Sequence, residues 1–203
     1  MDLSQAERSA WDRRYAQGEY TPRTSPSPFL VQWLPEVART RPTGTARALD
    51  VATGAGRHAL HLAEAGYAVD AVDISQVAVG LGEAAALKRG VRVNWLCTDL
   101  DEFQPEPGYH LITVFRYRNL ALWPLLADAL ADGGWVLVEH HLRTTADVDG
   151  PPNDEFRVAP GELLRAFGSL RVMHYSEQIE VGDRPDTMHA VVRMAACRGG
   201  PGW

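Results

Sequence analysis

The chain has 203 residues, 45% of them hydrophobic and 23% charged, which fits one globular domain with a sizeable core and hardly two. Lys and Arg number 20 against 26 Asp and Glu, a formal net charge of −6. This excludes a general attraction to nucleic acid or to an anionic membrane and points to a small-molecule acceptor. Two cysteines, Cys97 and Cys197, are too few for a disulfide framework and lack metal-ligand spacing, so no metal site is expected.

Met1 to Ala10 has no basic end followed by an apolar core, so it does not read as a signal peptide. No apolar run approaches the roughly 18 residues that cross a bilayer. The expectation is a cytoplasmic protein without a membrane partner, with monomer and homodimer both open.

In chain order, Leu3 to Tyr15 reads as a helix with Ser4 as cap and Glu7 three residues later. Gly18 to Pro28 reads as a loop, and Phe29 to Val37 as a helix disturbed by Pro35. Thr40 to Thr45 is a polar connector. An alternation then begins: strand Ala46–Val51, helix Arg57–Ala65, strand Tyr67–Val72, helix Gln76–Lys88, strand Val91–Leu96, strand Tyr109–Phe115, helix Leu120–Ala131 and strand Trp135–Glu139. Strands that alternate with helices and are apolar on both sides predict a doubly wound, Rossmann-like α/β sheet. A polar loop from Arg143 to Val158 and a short helix from Gly161 to Phe167 follow. Leu170–Glu180 and Thr187–Ala196 read as an antiparallel hairpin around Gly182-Asp183-Arg184-Pro185. The sheet is therefore expected to be mostly parallel with an antiparallel C-terminal hairpin. Residues 1–45 are expected to form N-terminal helices and a lid, 46–197 the core, and 198–203 a frayed tail.

Leu49-Asp50-Val51-Ala52-Thr53-Gly54-Ala55-Gly56-Arg57-His58-Ala59 takes a strand through a Gly-rich turn into a helix. Glycines permit the sharp turn and close approach to a ligand, and the free N–H groups of the helix start favour an anionic portion of it. Gly54-x-Gly56-x-x-Ala59 also fits the dinucleotide fingerprint, so context must choose between nicotinamide cofactors and S-adenosylmethionine. Asp50, inside the strand end, would repel a pyrophosphate but suits an ammonium, directly or through water. Asp73, nineteen residues after Gly54, can accept both ribose hydroxyls in either ligand class. Asp99 can accept from an adenine amino group while Leu100 packs on the ring. Each Asp alone reads equally well as a helix cap. Three at consecutive strand ends favour a ligand site at the carboxyl edge of the sheet.

Leu49-Asp50-Val51-Ala52-Thr53-Gly54-Ala55-Gly56, Val72-Asp73-Ile74-Ser75 and Asp99-Leu100 resemble the first three motifs of class I S-adenosylmethionine methyltransferases. Trp11-Asp12-Arg13-Arg14-Tyr15 resembles the opening of the tellurite-resistance and thiopurine methyltransferase branch. Asp132-Gly133-Gly134 before Trp135 resembles the family's Pro-Gly-Gly turn, with Asp in place of Pro. The resemblance spans nearly the whole chain and implies S-adenosylmethionine as cofactor. The expected cofactor contacts are Asp50, Ala52, Thr53, Gly54, Gly56, Arg57, Asp73, Ile74, Asp99, Leu100 and Phe115, with Trp11 and Tyr15 from the lid.

Methyl transfer is an in-line displacement that rests mainly on alignment. A thiol or selenol ionises nearly unaided, whereas an alcohol or amine more often needs a positioned base. Candidate bases are Glu139, His140 and His141 at the end of the fifth strand, and candidates after the fourth strand are Arg116, Tyr117, Arg118 and Asn119; the pair Arg116 and Arg118 can hold an anionic substrate. The resemblance favours a sulfur or selenium acceptor. An oxygen or nitrogen methyltransferase of a small acid and a non-catalytic S-adenosylmethionine-binding protein are the rival readings. A nicotinamide-dependent reductase is a distant fourth.

Overall fold

Between residues 46 and 141 short apolar runs and Gly- or Ser-headed amphipathic segments become strands and helices in turn. The computed structural model describes residues 3–182 and 186–199. Helices α1 (Leu3–Ala16) and α2 (Pro28–Arg39) precede strand β1 (Arg47–Val51). Then come α3 (Arg57–Glu64), β2 (Ala68–Asp73), α4 (Gln76–Arg89), β3 (Asn94–Cys97), β4 (Tyr109–Phe115), α5 (Leu122–Ala129) and β5 (Leu130–His141). A long loop with a 3₁₀ turn at Asp154–Phe156 leads to α6 (Glu162–Ala166), β6 (Arg171–Val181) and β7 (Met188–Cys197).

All seven strands share one sheet in the order β3-β2-β1-β4-β5-β7-β6. The first five pair in parallel, while β7 runs antiparallel to both β5 and β6. This is the doubly wound, Rossmann-like arrangement with an antiparallel C-terminal hairpin that the sequence predicts. The order reverses between β1 and β4, so their carboxyl ends open a crevice.

The faces of the sheet follow the period-two rule. Val136 and Val138 of β5 join Leu49, Val51, Val114 and Met194 against Trp123, Leu126 and Phe167. Trp135 and Leu137 join Ala48, Leu111 and Ala195 against Phe29, Leu30 and Leu62. Glu139 and His141 therefore lie on the α2/α3 face and His140 on the α5 face.

Several boundaries differ from expectation for stated reasons. Helix α5 stops at Ala129 rather than Ala131, because Leu130 already pairs with Tyr109 and β5 starts there. The Asp132-Gly133-Gly134 stretch is strand instead of turn. Gly133 N donates to Arg198 O at 2.9 Å, and Arg198 N donates to Gly134 O at 2.8 Å. Strand β3 begins at Asn94 because Gly90, at φ 68°, and Val91 still close the end of α4, with Val91 N donating to Ala86 O at 3.1 Å. Helix α2 runs through Pro35, which forfeits only the bond to the carbonyl of exposed Val31. The expected Gly182-Asp183-Arg184-Pro185 turn and frayed tail fall largely outside the described residues. No described helix is long and apolar enough to cross a membrane.

Candidate active site

Strand β1 ends in strain. Ala52 has φ 52° and Arg116, at the end of the adjacent β4, has φ 62°; they are the two non-glycine positive-φ residues among those described. Left-handed backbone costs an L-residue roughly 1–2 kcal/mol, and such strain gathers where chain geometry serves a ligand. Both residues flank the crevice between β1 and β4.

The turn after β1 is fastened by aspartates. Asp50 is 1% exposed. Its carboxylate accepts from Thr53 Oγ1 at 2.5 Å, Thr113 Oγ1 at 2.7 Å and Ala59 N at 3.1 Å. Burial raises its pKa to about 6 against the lowering effect of those donors. Asp50 thus ties β1, β4 and the start of α3 together inside the protein; direct contact with a ligand ammonium is not what this position offers.

Asp73 Oδ2 accepts from Gly54 N at 2.7 Å and Oδ1 from Ser75 N at 2.9 Å. Ser75 Oγ caps α4 by accepting from Ala78 N at 3.1 Å. Each Asp73 oxygen retains a further lone pair, so capping and ligand binding are compatible in one side chain. Asp99 is buried after β3 and accepts from Asp101 N at 2.9 Å, with Leu100 in the core beside it. Ile74 is buried next to Asp73.

The glycines face two aromatic rings. A Cβ on Gly54 would lie 2.7 Å from Tyr15 Oη, and one on Gly56 2.3 Å from the Trp95 ring tip. Trp95 fills the space between Gly56 and Gly82. Tyr15 comes from α1, whose Trp11, Tyr15 and the following Tyr20 form a triangle with centroids 5.2–6.2 Å apart. Asp12 Oδ1 accepts from Ser75 Oγ at 2.6 Å and Val77 N at 3.1 Å, so α1 is pinned across the start of α4. Glu7 on the same helix has its pKa raised by burial and by the carboxylates of Asp101, Asp99 and Asp73. This half of the edge is acidic.

The other half is basic. Glu139, 4% exposed at the end of β5, accepts from Arg193 Nε at 2.7 Å, Ser27 Oγ at 3.2 Å and Arg116 Nη2 at 3.4 Å. Arg193 also grips Glu180 through both terminal nitrogens. Burial and the charges of Arg23, Arg57 and Arg193 lower the pKa of Arg116, against the raising effect of Glu139. Phe115 packs against His58 in a tilted pair with centroids 4.1 Å apart, and His58 Nε2 accepts from Ser27 N at 3.2 Å. His58 is therefore a buried packing residue.

The two candidate histidines part company as the alternation requires. His140 is buried, with Nδ1 3.3 Å from His141 O, and burial lowers its pKa to about 4. His141 lies against Gly150, where a Cβ would meet Nδ1 at 3.0 Å. Burial and then Arg116 hold its pKa at about 2. Arg118 turns away from the crevice to pair with Glu162. Sequence patterns give no role to Ser27, Arg193 or Glu180, and Asp12 enters only as part of the Trp11-to-Tyr15 segment. The available signal was a lone Arg193 inside the apolar run Val191-Val192-Met194-Ala195-Ala196, since a charge in a doubly covered strand demands a partner.

Comparison with known proteins gives these positions a context. Residues 48–134 match a family described as a methyltransferase domain. The chain is 25% identical over 133 residues to the ubiquinone biosynthesis O-methyltransferase of Bordetella avium (strain 197N), covering 62% of this chain and 53% of that protein. It thus spans about half the length of that curated relative. TehB from Haemophilus influenzae superposes with a TM-score of 0.74 at 18% identity, over 93% of this chain and 67% of that one. The [4+2]-cyclase SpnF superposes at 0.68 with 18% identity, over 96% of each chain. Magnesium protoporphyrin IX methyltransferase (ChlM) from Synechocystis PCC 6803 with bound SAM superposes at 0.63 with 13% identity, over 98% of each chain.

Proposed function

We propose that this chain, a class I S-adenosylmethionine-dependent methyltransferase by its domain and fold, methylates a small acceptor at a soft nucleophilic atom, sulfur or selenium. S-adenosylmethionine is the cofactor, and the residues present fit it. Gly54 and Gly56 carry the turn at positive φ beneath the Tyr15 and Trp95 rings, Asp73 keeps lone pairs for ribose hydroxyls, and Asp99 with Leu100 and Ile74 offers an acceptor beside apolar walls for the adenine. Asp50, Thr53 and Ala52 shape the turn, and Trp11 and Tyr15 close over it, placing aromatic faces near a sulfonium.

Bound there, the cofactor supplies an electrophilic methyl group on a positively charged sulfur. The acceptor atom forms the new bond to that carbon as the carbon–sulfonium bond breaks, and the electron pair stays on the cofactor sulfur. The chain's work is to align the two and exclude water.

The observation that carries the soft-nucleophile reading is the state of the titratable groups on the acceptor side. His140 and His141, with pKa values near 4 and 2, are neutral at pH 7 but hold a proton too weakly to serve as effective general bases. Glu139 is engaged by Arg193, Ser27 and Arg116. A thiol or selenol needs no such base, and neighbouring arginines favour its anion. The name of the Bordetella relative supports an oxygen acceptor as the second reading. A screen of thiols, selenols, phenols, amines and carboxylic acids, read as S-adenosylhomocysteine formed, tests both. Turnover confined to phenols would overturn the first reading, and none with any acceptor would leave a binding protein.

A further inference from the structure

The basic half of the crevice carries more cation than its own carboxylates answer. Arg193 consumes Glu180 and one oxygen of Glu139. Arg116 reaches the other Glu139 oxygen through Nη2 alone, at 3.4 Å. Its Nη1 is buried with no hydrogen-bond partner. Arg57, at the first position of α3, makes no ion pair among the described residues, and burial followed by Arg23 lowers its pKa. A guanidinium N–H shut away from water without an acceptor is costly, and the same residue sits at a left-handed φ of 62°. The side chain is 22% exposed. Such an arrangement is stable to evolution when a ligand completes it.

We infer that Arg116 receives an anionic group, a carboxylate, that the acceptor carries in addition to its nucleophilic atom, with Arg57 adding to the field. The acceptor class is then a small thiol or selenol acid. The planar fork of Arg116 suits a carboxylate, and its free Nη1 beside the partly used Nη2 offers a two-pronged contact. Glu139 keeps the guanidinium oriented in the meantime. The inference rests on the proposed methyl transfer for the nucleophile but not for the anion site.

The same carboxylate chemistry is present on the methionine portion of the cofactor, so the test separates the two sources. Titrate 3-mercaptopropionate and 2-mercaptoethanol into the protein saturated with S-adenosylhomocysteine, by calorimetry, for the wild type, Arg116→Gln and Arg57→Gln. Charge-assisted bonds of this kind are worth about tenfold or more in affinity. The acid is therefore expected to bind at least about tenfold tighter than the alcohol, and Arg116→Gln to abolish that preference while leaving S-adenosylhomocysteine affinity within about threefold. Arg57→Gln, at a half-buried position, is expected to reduce the preference partially, so a poorly folding Arg116 variant does not stall the test. Equal binding of acid and alcohol by the wild type would overturn the inference. So would a loss of S-adenosylhomocysteine affinity in Arg116→Gln with the acid preference intact, which would assign the guanidinium to the cofactor. Turnover is read separately: an acid preference without methylation would sink the proposed function and leave the anion site standing.

Discussion

The carboxyl edge of the sheet divides at the β1/β4 crevice into two regions of opposite character. On one side, strand ends supply Asp50, Asp73 and Asp99, and α1 adds Glu7 and Asp12. On the other, Arg116 and Arg193 surround a single deeply buried Glu139. In the acidic half, carboxylates tie the turn after β1 to its surroundings: Asp73 binds Gly54 and Ser75, Asp50 binds Thr53, Ala59 and Thr113, and Asp12 binds Ser75 and Val77. The basic half is built from contacts across the chain, such as Arg193 with Glu139 and Ser27 with Glu139. The turn of the first half is marked by one contiguous motif, residues 49–59, whereas the residues of the second half come from separate parts of the chain.

The largest expected effect lies in the turn of the acidic half. Gly56→Ala meets both a φ of 81° and the Trp95 ring, 2.3 Å from the new carbon. The left-handed cost of about 1–2 kcal/mol adds to overpacking of about 1–3, so denaturant unfolding should show a loss of about 2–5 kcal/mol. Gly133→Ala in β5, at φ 74° with no neighbour within 4 Å, should lose only the backbone portion, about 1–2 kcal/mol. Equal losses would mean that Trp95 moves freely and that the cradle is not rigid.

Next is Asp73→Ala. It removes the anchor of Gly54 N and the proposed ribose acceptor together, and charge-assisted bonds are worth about 1.5–3 kcal/mol each. S-adenosylmethionine binding by calorimetry should weaken at least about tenfold. A folded variant that binds unchanged would reduce Asp73 to the start of α4. A smaller loss is expected of Asp12→Ala, which deletes a cap supplied from another helix. Stability should fall by about 1 kcal/mol, and release of bound S-adenosylhomocysteine, followed by stopped-flow fluorescence of Trp11, should quicken. An unchanged release rate would separate α1 from any closing role.

The same division explains what was legible in the sequence. Strand–turn–helix order, the Gly54 and Gly56 turn and the three strand-end aspartates are local patterns, and their positions emerge as read, as does the mixed sheet. The likeness to TehB accords with the resemblance drawn from the N-terminal Trp11-to-Tyr15 segment. The start of β5 was misread because Asp132-Gly133-Gly134 has the composition of a turn, whereas its strand character depends on Arg198, more than sixty residues on. Asp50 has the right place but another neighbourhood, since Thr113 arrives from β4. The hairpin of β6 and β7 is legible, but Arg193 lies opposite Ser176 and Glu180 opposite His189, so the Arg193–Glu180 pair depends on register and side-chain reach that the sequence pattern does not give.

The smallest predicted effect bears on the basic half and on whether anything there removes a proton. His140 and His141 lie on opposite faces at the end of β5, so a single histidine base would have to be one or the other. Burial lowers the first to about 4 and, with Arg116, the second to about 2. A base whose conjugate acid is depressed is neutral above that value. It therefore stays unprotonated from pH 5 to 9 and gives the rate no inflection near the ordinary histidine value of about 6.5. The rate with a thiol acceptor should instead rise with the acceptor's own ionisation, toward a pKa of about 8.5 for a cysteine-like thiol and higher for a simple alkyl thiol, and earlier in a cationic field. His140→Gln and His141→Gln should each cost less than about tenfold in kcat/KM, below the hundredfold or more expected of a lost general base. The pH profile decides between a base and a packing residue, because a merely structural loss lowers the whole curve without moving it. A wild-type profile with an acidic limb near pH 6.5, abolished in one of the two variants, would establish a histidine base and with it an oxygen or nitrogen acceptor.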